Sequence, residues 1–130
     1  MQLRLTLFGA ALCLCLASSL WAQDAVKVDP KHYTVVSEND QVRILKAHYG
    51  PHEKSVMHSH PASVAVFLTN SKGAFHLPDG TSQTLAGEAG DSLYTPATVH
   101  LPENTGDEAM DVIVIELKGK PGMAAKAEMK

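Results

Sequence analysis

The 130-residue sequence predicts a single all-β domain, a sandwich or barrel of short strands. Three observations carry that expectation. Short apolar runs recur at regular spacing, turn signals separate them, and β-branched residues dominate the runs, with no helical periodicity in the body of the chain.

The first 22 residues are set apart from that domain. "MQLR" supplies one positive charge, "LTLFGAALCLCLASSL" is an unbroken run of apolar or small residues, and "WAQD" returns to polar chain. This is the pattern of a secretory signal, with cleavage expected after Ala22, although Leu20 is a weaker match than alanine three positions before the cut. The run is short for a transmembrane span, which needs about 20 apolar residues. The expected product is therefore a periplasmic or secreted protein of 108 residues (130 less 22) with no stable membrane insertion.

Both cysteines, Cys13 and Cys15, fall inside the signal. The mature chain then has no disulfide, no thiolate ligand and no cysteine nucleophile, so an ordinary apolar core must hold it together. Loss of Arg4 reduces the basic residues from 11 to 10 against 14 acidic ones. Charges so scattered and mildly acidic offer no footprint for nucleic acid, and a nucleic-acid partner is not expected.

After a polar lead-in, "QDAVKVDPKH" (residues 23–32), the domain is expected over residues 33–117. "YTVVS" ends at the turn "END". "QVRILKAHY" alternates strictly, Val42 and Ile44 on one face and Leu45 and Ala47 on the other, and "GPHEK" stops it. Then follow "SVMHSH", "SVAVFLTN", the turn "SKG", "AFHL", the turn "PDG", "SQTLA", the loop "GEAG", "DSLYTP", "TVHL", the loop "PENTGDEA" and "MDVIVIEL". That last apolar run suits a strand covered on both faces. Residues 118–130, with Pro, Gly and no β pattern, read as a flexible tail. Asp91 beside Gly90, and Asn104 within "PENTG", read as turn formers.

Seven histidines invite sorting. His58 and His60 share one face of an extended strand, their Cα atoms about 6.5–7 Å apart. Two imidazoles leaning inward from that separation reach one ion at bonds of about 2.1 Å. A third ligand from a neighbouring strand closes such a site, and His100 in "TPATVHLPEN" is the best candidate. An HxH pair alone is a weak signal, since surface strands carry such pairs too. His32 and His52 read as surface residues, and His76 is placed on the outer face. His48, in phase with Val42 and Ile44, is a candidate to look into the barrel, and Phe67 and Tyr94 are the aromatics nearest the site that could line a pocket.

On these residues the chain resembles the cupins, small jelly-roll β-barrels. His58-Ser59-His60 fits the central pair of the first cupin motif, and Gly73 falls near its closing glycine. In the second motif Gly90 precedes Pro96 by five intervening residues, and His100 precedes Asn104 by three. The resemblance covers about Tyr33 to Leu117 and implies one cupin-type barrel. It also implies that His58, His60 and His100 ligate a divalent transition metal (Fe, Zn, Ni, Mn or Cu), and that the barrels pair as a homodimer. The chain departs from the pattern at the motif glutamate, where Val64 stands; Val64 shares parity with the two histidines and is expected in the same pocket.

A three-histidine face leaves the ion its full charge and open positions, which favours Lewis acidity. Three-histidine sites occur among cupin-like thiol and diketone dioxygenases. Two functions are therefore open: a metal-binding module for a small molecule, or a metal-dependent dioxygenase or other oxidoreductase on a small thiol or diketone. A third outcome is a barrel that has lost its metal with its glutamate. No nucleophile elbow, phosphate loop or paired carboxylate stands out, and neither Glu88 nor Glu116 joins a recognisable arrangement.

Overall fold

The structure, a computed structural model, describes residues 23–119. The signal segment, with Cys13 and Cys15, and nearly all of the tail lie outside the described residues. One short helix, α1 (Ala25–Val28), precedes nine strands: β1 (Tyr33–Glu38), β2 (Val42–Tyr49), β3 (His58–His60), β4 (Ser63–Phe67), β5 (Ser71–His76), β6 (Ser82–Gly87), β7 (Ser92–Thr95), β8 (Thr98–Asn104) and β9 (Met110–Leu117). The expected all-β architecture is present, with strands beginning at Tyr33 and ending at Leu117.

The strands form two antiparallel sheets, in the orders β1-β2-β9-β4-β7 and β3-β8-β5-β6, packed as a jelly roll. Alternation decides which side chains meet between them. On β2, Leu45, Ala47 and Tyr49 are buried while Lys46 and His48 face out; on β9, Met110 and Val112 are buried on the same side as Glu116. Leu45, Ala47, Tyr49, Met110 and Val112 form the core with Ala25, Tyr33, Phe67 and Leu85. Each large apolar side chain so buried contributes about 1.5–3 kcal/mol. β9 sits between β2 and β4, which explains its apolar density, although its outer residues are only half covered.

Three segments differ from expectation. "SKG" is not a turn: β5 begins at Ser71, and the chain bends over the preceding residues instead. Gly73 lies in that strand because a Cβ there would come within 2.5 Å of the Glu103 carbonyl oxygen on β8. "PEN" continues β8 rather than starting a loop. The lead-in is also more than a polar approach. Asp24 caps α1 by accepting from the backbone N–H groups of Val26 and Lys27, and Ala25 is fully buried in the core.

The break between β3 and β4 has a consequence for the site. In one continuous strand, residues 58, 60 and 64 would share a face. Pro61 and Ala62 instead interrupt the ladder, and when it resumes the inward positions are Ser63, Ala65 and Phe67.

Candidate metal centre

His58 and His100 are direct cross-strand partners on β3 and β8, and His60 lies two residues along β3 opposite Thr98. Pairing at this register brings the three rings together: centroids lie 4.8 Å apart for His58 and His60, 5.1 Å for His58 and His100, and 5.4 Å for His60 and His100. All three residues are buried, and one nitrogen from each falls within 4.8 Å of the others.

Hydrogen bonding behind the rings sets their tautomers. His58 Nδ1–H donates to the Val56 carbonyl at 2.8 Å, and His60 Nδ1–H donates to Glu116 Oε1 at 2.7 Å. A carbonyl or carboxylate can only accept, so both Nδ1 atoms carry the proton and both Nε2 atoms carry lone pairs. Those Nε2 atoms face each other at 3.1 Å, and His100 Nε2 is buried with no partner among the described residues. Buried polar atoms are almost always satisfied. Converging imidazole lone pairs and an orphaned nitrogen fit a divalent transition metal, for which neutral imidazole is a good donor.

Electrostatics agree with that fit. Burial, reinforced by mutual repulsion with His60, pushes His58 down to about 4. Burial and the other two histidines push His100 down to about 3. Both rings are neutral near pH 7, as ligation requires.

Sequence reasoning missed Glu116. It is 2% exposed and bonded to His60 on one side and, through Oε2 at 2.6 Å, to Arg43 Nε on the other. Arg43 and Glu116 are register partners on β2 and β9. Burial pushes the Glu116 carboxyl up, but the hydrogen bonds from His60 and Arg43 outweigh it and hold it below the usual range. Arg43 also bonds to Asp24. The available signal was parity: a carboxylate in phase with Met110, Val112 and Val114, and a guanidinium in phase with Leu45, Ala47 and Tyr49.

Other expectations are redistributed. Phe67 is buried and lines the cavity beside the histidines. His48 does not: its side chain is 57% exposed and bonds to Asp111 at 2.9 Å, because it alternates with the buried Ala47 and Tyr49. Tyr94 is 59% exposed, since Leu93 and Thr95 take the inward positions on β7. Val64 pairs with Tyr94 and Ile115 and turns away with them; Ser63 and Ala65 line the cavity instead. His32 is buried rather than on the surface. Its ring stacks on Tyr49 at 4.4 Å, with Nδ1 on Asp29 and Nε2 on Glu53. His52 is exposed and paired with Asp107, and His76 is half-buried between Ser82 and Glu103.

His60 and His100 border a cavity of about 60 Å³ whose wall is mostly apolar, including Phe67, Phe75, Met110 and Val112. Tyr33 and Tyr49 line the same wall, and the Tyr49 hydroxyl donates to the Tyr33 hydroxyl at 2.8 Å. Burial raises Tyr33 well above the usual phenol range, so it is a hydrogen-bonding group there and not a base.

The cupin domain model matches residues 45–116 of the chain. Among solved structures, a cupin domain from Bordetella pertussis Tohama I superposes with a TM-score of 0.62 at 26% identity, covering 67% of this chain and 92% of that one. A conserved double-stranded β-helix protein from Klebsiella pneumoniae subsp. pneumoniae MGH 78578 gives 0.56 at 24% identity, covering 69% and 78%. The polyketide cyclase RemF of Streptomyces resistomycificus gives 0.50 at 14% identity, covering 68% and 66%, a likeness of fold alone. No curated protein matches the chain. With its match spanning more than half of the sequence and its motif histidines gathered inside the barrel, the chain belongs to the cupin family.

Proposed function

We infer that the protein is a metal-binding cupin that holds one divalent transition-metal ion on His58, His60 and His100 and admits a small, largely apolar molecule beside it. The observation that carries this reading is the convergence of one nitrogen from each of three buried histidines, with His100 Nε2 buried and unpaired among the described residues and the Nε2 lone pairs of His58 and His60 meeting at 3.1 Å. His58, His60 and His100 would hold the ion, which would supply Lewis acidity there.

The chain's own residues do the rest. Glu116 and the Val56 carbonyl orient two rings, and Phe75 packs on the third at 4.4 Å. The apolar wall excludes bulk water and limits the ligand to a few non-hydrogen atoms, while the Tyr33–Tyr49 hydroxyl pair offers a polar contact. No carboxylate belongs to the three-residue cluster. That donor set also supports a second reading, a metal-dependent dioxygenase acting on a small thiol or diketone. The signal-like segment at residues 1–22 supports placing either activity in the periplasm or outside the cell.

Metal content of protein purified without a metal-affinity tag tests the first reading, with His58→Ala and His100→Ala alongside. Stoichiometric metal in the parent and its loss in both variants is the expected result. A metal-free parent that also ignores added Zn(II), Co(II) and Fe(II) overturns it. Oxygen uptake by the iron form with small thiols or diketones, abolished in the variants, selects the oxygenase.

A further inference from the structure

The two rings of the His-x-His pair are each held from behind by hydrogen bonds that lead to one short segment, residues 24–33. On the His60 side, Nδ1–H donates to Glu116 Oε1 at 2.7 Å, Glu116 Oε2 accepts from Arg43 Nε at 2.6 Å, and Arg43 Nη2 donates to Asp24 Oδ2. The other oxygen of Asp24 accepts from the backbone of α1 at 3.0 and 3.3 Å. On the His58 side, Nδ1 lies 3.2 Å from Ser55 Oγ, which donates to Asp29 Oδ2; the Asp29 carboxylate also takes His32 Nδ1. Tyr33 closes the segment, its ring edge-on to His58 at 4.9 Å and tilted over His60 at 5.5 Å. Directly between the two ligands, Ser59 N–H donates to the Gln23 carbonyl at 2.8 Å.

Two features exceed what a staple for the N-terminal segment would need. Asp24 and Arg43 alone would pin α1 to the barrel, yet the chain continues inward to a carboxylate that is 2% exposed. Burying an ionised carboxylate is unfavourable unless partners compensate. Here one partner is the ring that faces the centre. An imidazole whose N–H meets a carboxylate is a stronger donor at its other nitrogen, and its orientation is fixed. The ion would otherwise sit on three neutral ligands, because the inward position that could have carried a motif glutamate holds Ala65.

We propose that Glu116, held by Arg43 and Asp24, supplies from behind His60 the negative charge that this cupin lacks at the ion itself, and that the segment Asp24–Tyr33 is thereby part of the metal centre. Glu116, Arg43 and Asp24 are positioning residues; none of them is a ligand. Asp24 and Arg43 lie outside the stretch matched by the cupin domain model, residues 45–116, so the assignment concerns this chain and not the domain in general. It rests on metal binding as read above.

The test is Co(II) affinity by chelator competition, with the Co(II) visible spectrum, on the full chain and on Glu116→Gln, Arg43→Lys and Asp24→Asn. Melting of each metal-free protein in EDTA is measured separately. Glu116→Gln is expected to weaken Co(II) about 10–100-fold and shift the visible bands, the size typical for loss of a carboxylate behind a histidine ligand. Asp24→Asn, which touches no ligand, should give a smaller loss of the same sign. The double variant should lose less than the two singles combined, because both act through one chain of bonds. Parent-like affinity and spectrum in the variants, with only the metal-free melting temperature lowered, overturn the proposal and leave the metal reading intact. A parent that binds no metal instead removes the reading on which it rests. Should Glu116→Gln fail to fold, Asp24→Asn and Arg43→Lys decide on the same readouts.

Discussion

The Nε2 atoms of His58 and His60 stand 3.1 Å apart although the Nδ1–H of each ring is already committed, one to the Val56 carbonyl and one to Glu116. Two lone pairs directed at each other repel unless a cation lies between them. The arrangement could hold an ion, and an ion that binds the folded state alone stabilises it by mass action. At a free concentration 100 times Kd the gain is about 2.7 kcal/mol, which for a domain of this size raises Tm on the order of 10–20 °C. Calorimetry with Zn(II) or Co(II), reversed by EDTA, measures it. A parent Tm indifferent to every divalent metal contradicts the arrangement.

The metal-free protein should be acid-labile in a defined window. His58 and His100 are depressed to about 4 and about 3 in the fold, against about 6.5 in an unfolded chain. Between those values the unfolded chain binds more protons, so stability rises with pH across the window and is lost as pH falls from about 6.5 toward 3. Glu116, held low in the fold, adds a loss of the same sign at its acidic end. Chemical denaturation in EDTA at pH 7.5, 6 and 5 should show midpoints falling in that order. Replacing His100 with Ala should flatten the pH dependence.

The strands and the three histidines of the site were legible for different physical reasons. Strand existence follows from local composition, and β1, β2 and β9 carry their alternation or apolar density openly. His58 and His60 are legible because a period of two is local. His100 was a candidate from its own apolar run, and the resemblance to the cupins strengthened that choice, since nothing local says that β8 pairs with β3. Parity places Glu116 and Arg43 on inward faces, but their meeting was not legible because it depends on the β2–β9 register, a long-range property. His32 was misplaced because α1, a helix of only four residues, folds the lead-in back onto the barrel, and so short a segment has no periodicity to read.

Val64 illustrates how one interruption inverts a strand. Counting by twos from His60 puts it in the cavity, but the Pro61-Ala62 break gives that side to Ser63 and Ala65. Restoring the motif carboxylate by Val64→Glu should therefore leave Co(II) affinity and spectrum unchanged, its side chain joining Tyr94 and Ile115 on the outer face. Ala65→Glu places the carboxylate inside, where it should alter the Co(II) bands and, without metal, destabilise the fold as an uncompensated buried charge. Spectral change with Val64→Glu and none with Ala65→Glu would show the opposite phase.

Asn104 supports the site from a distance by joining three pieces of backbone. One Nδ2 hydrogen is shared between the carbonyls of Tyr49 and Gly50 at 3.3 and 3.0 Å and the other goes to the Glu108 carbonyl at 2.8 Å, while its Oδ1 accepts from Gly106 N–H at 3.0 Å. Turn formation alone, as expected from "PENTG", needs only the last of these. The first two tie the end of β2, and with it Tyr49 in the cavity wall, to the end of the strand that carries His100. Asn104 is 1% exposed and its bond to the Tyr49 carbonyl is buried, so Asn104→Ala removes that donor together with the part-buried bonds to Gly50 and Glu108, at about 1–3 kcal/mol for a buried group left unsatisfied. The expected loss in urea denaturation is on the order of 2–4 kcal/mol in total, because partial relaxation offsets some of that. Asn104→Asp should be at least as harmful, since it keeps the acceptor for Gly106 but turns the donor into a second acceptor facing the three carbonyls. A loss confined to a few tenths of a kcal/mol would reduce Asn104 to a turn residue.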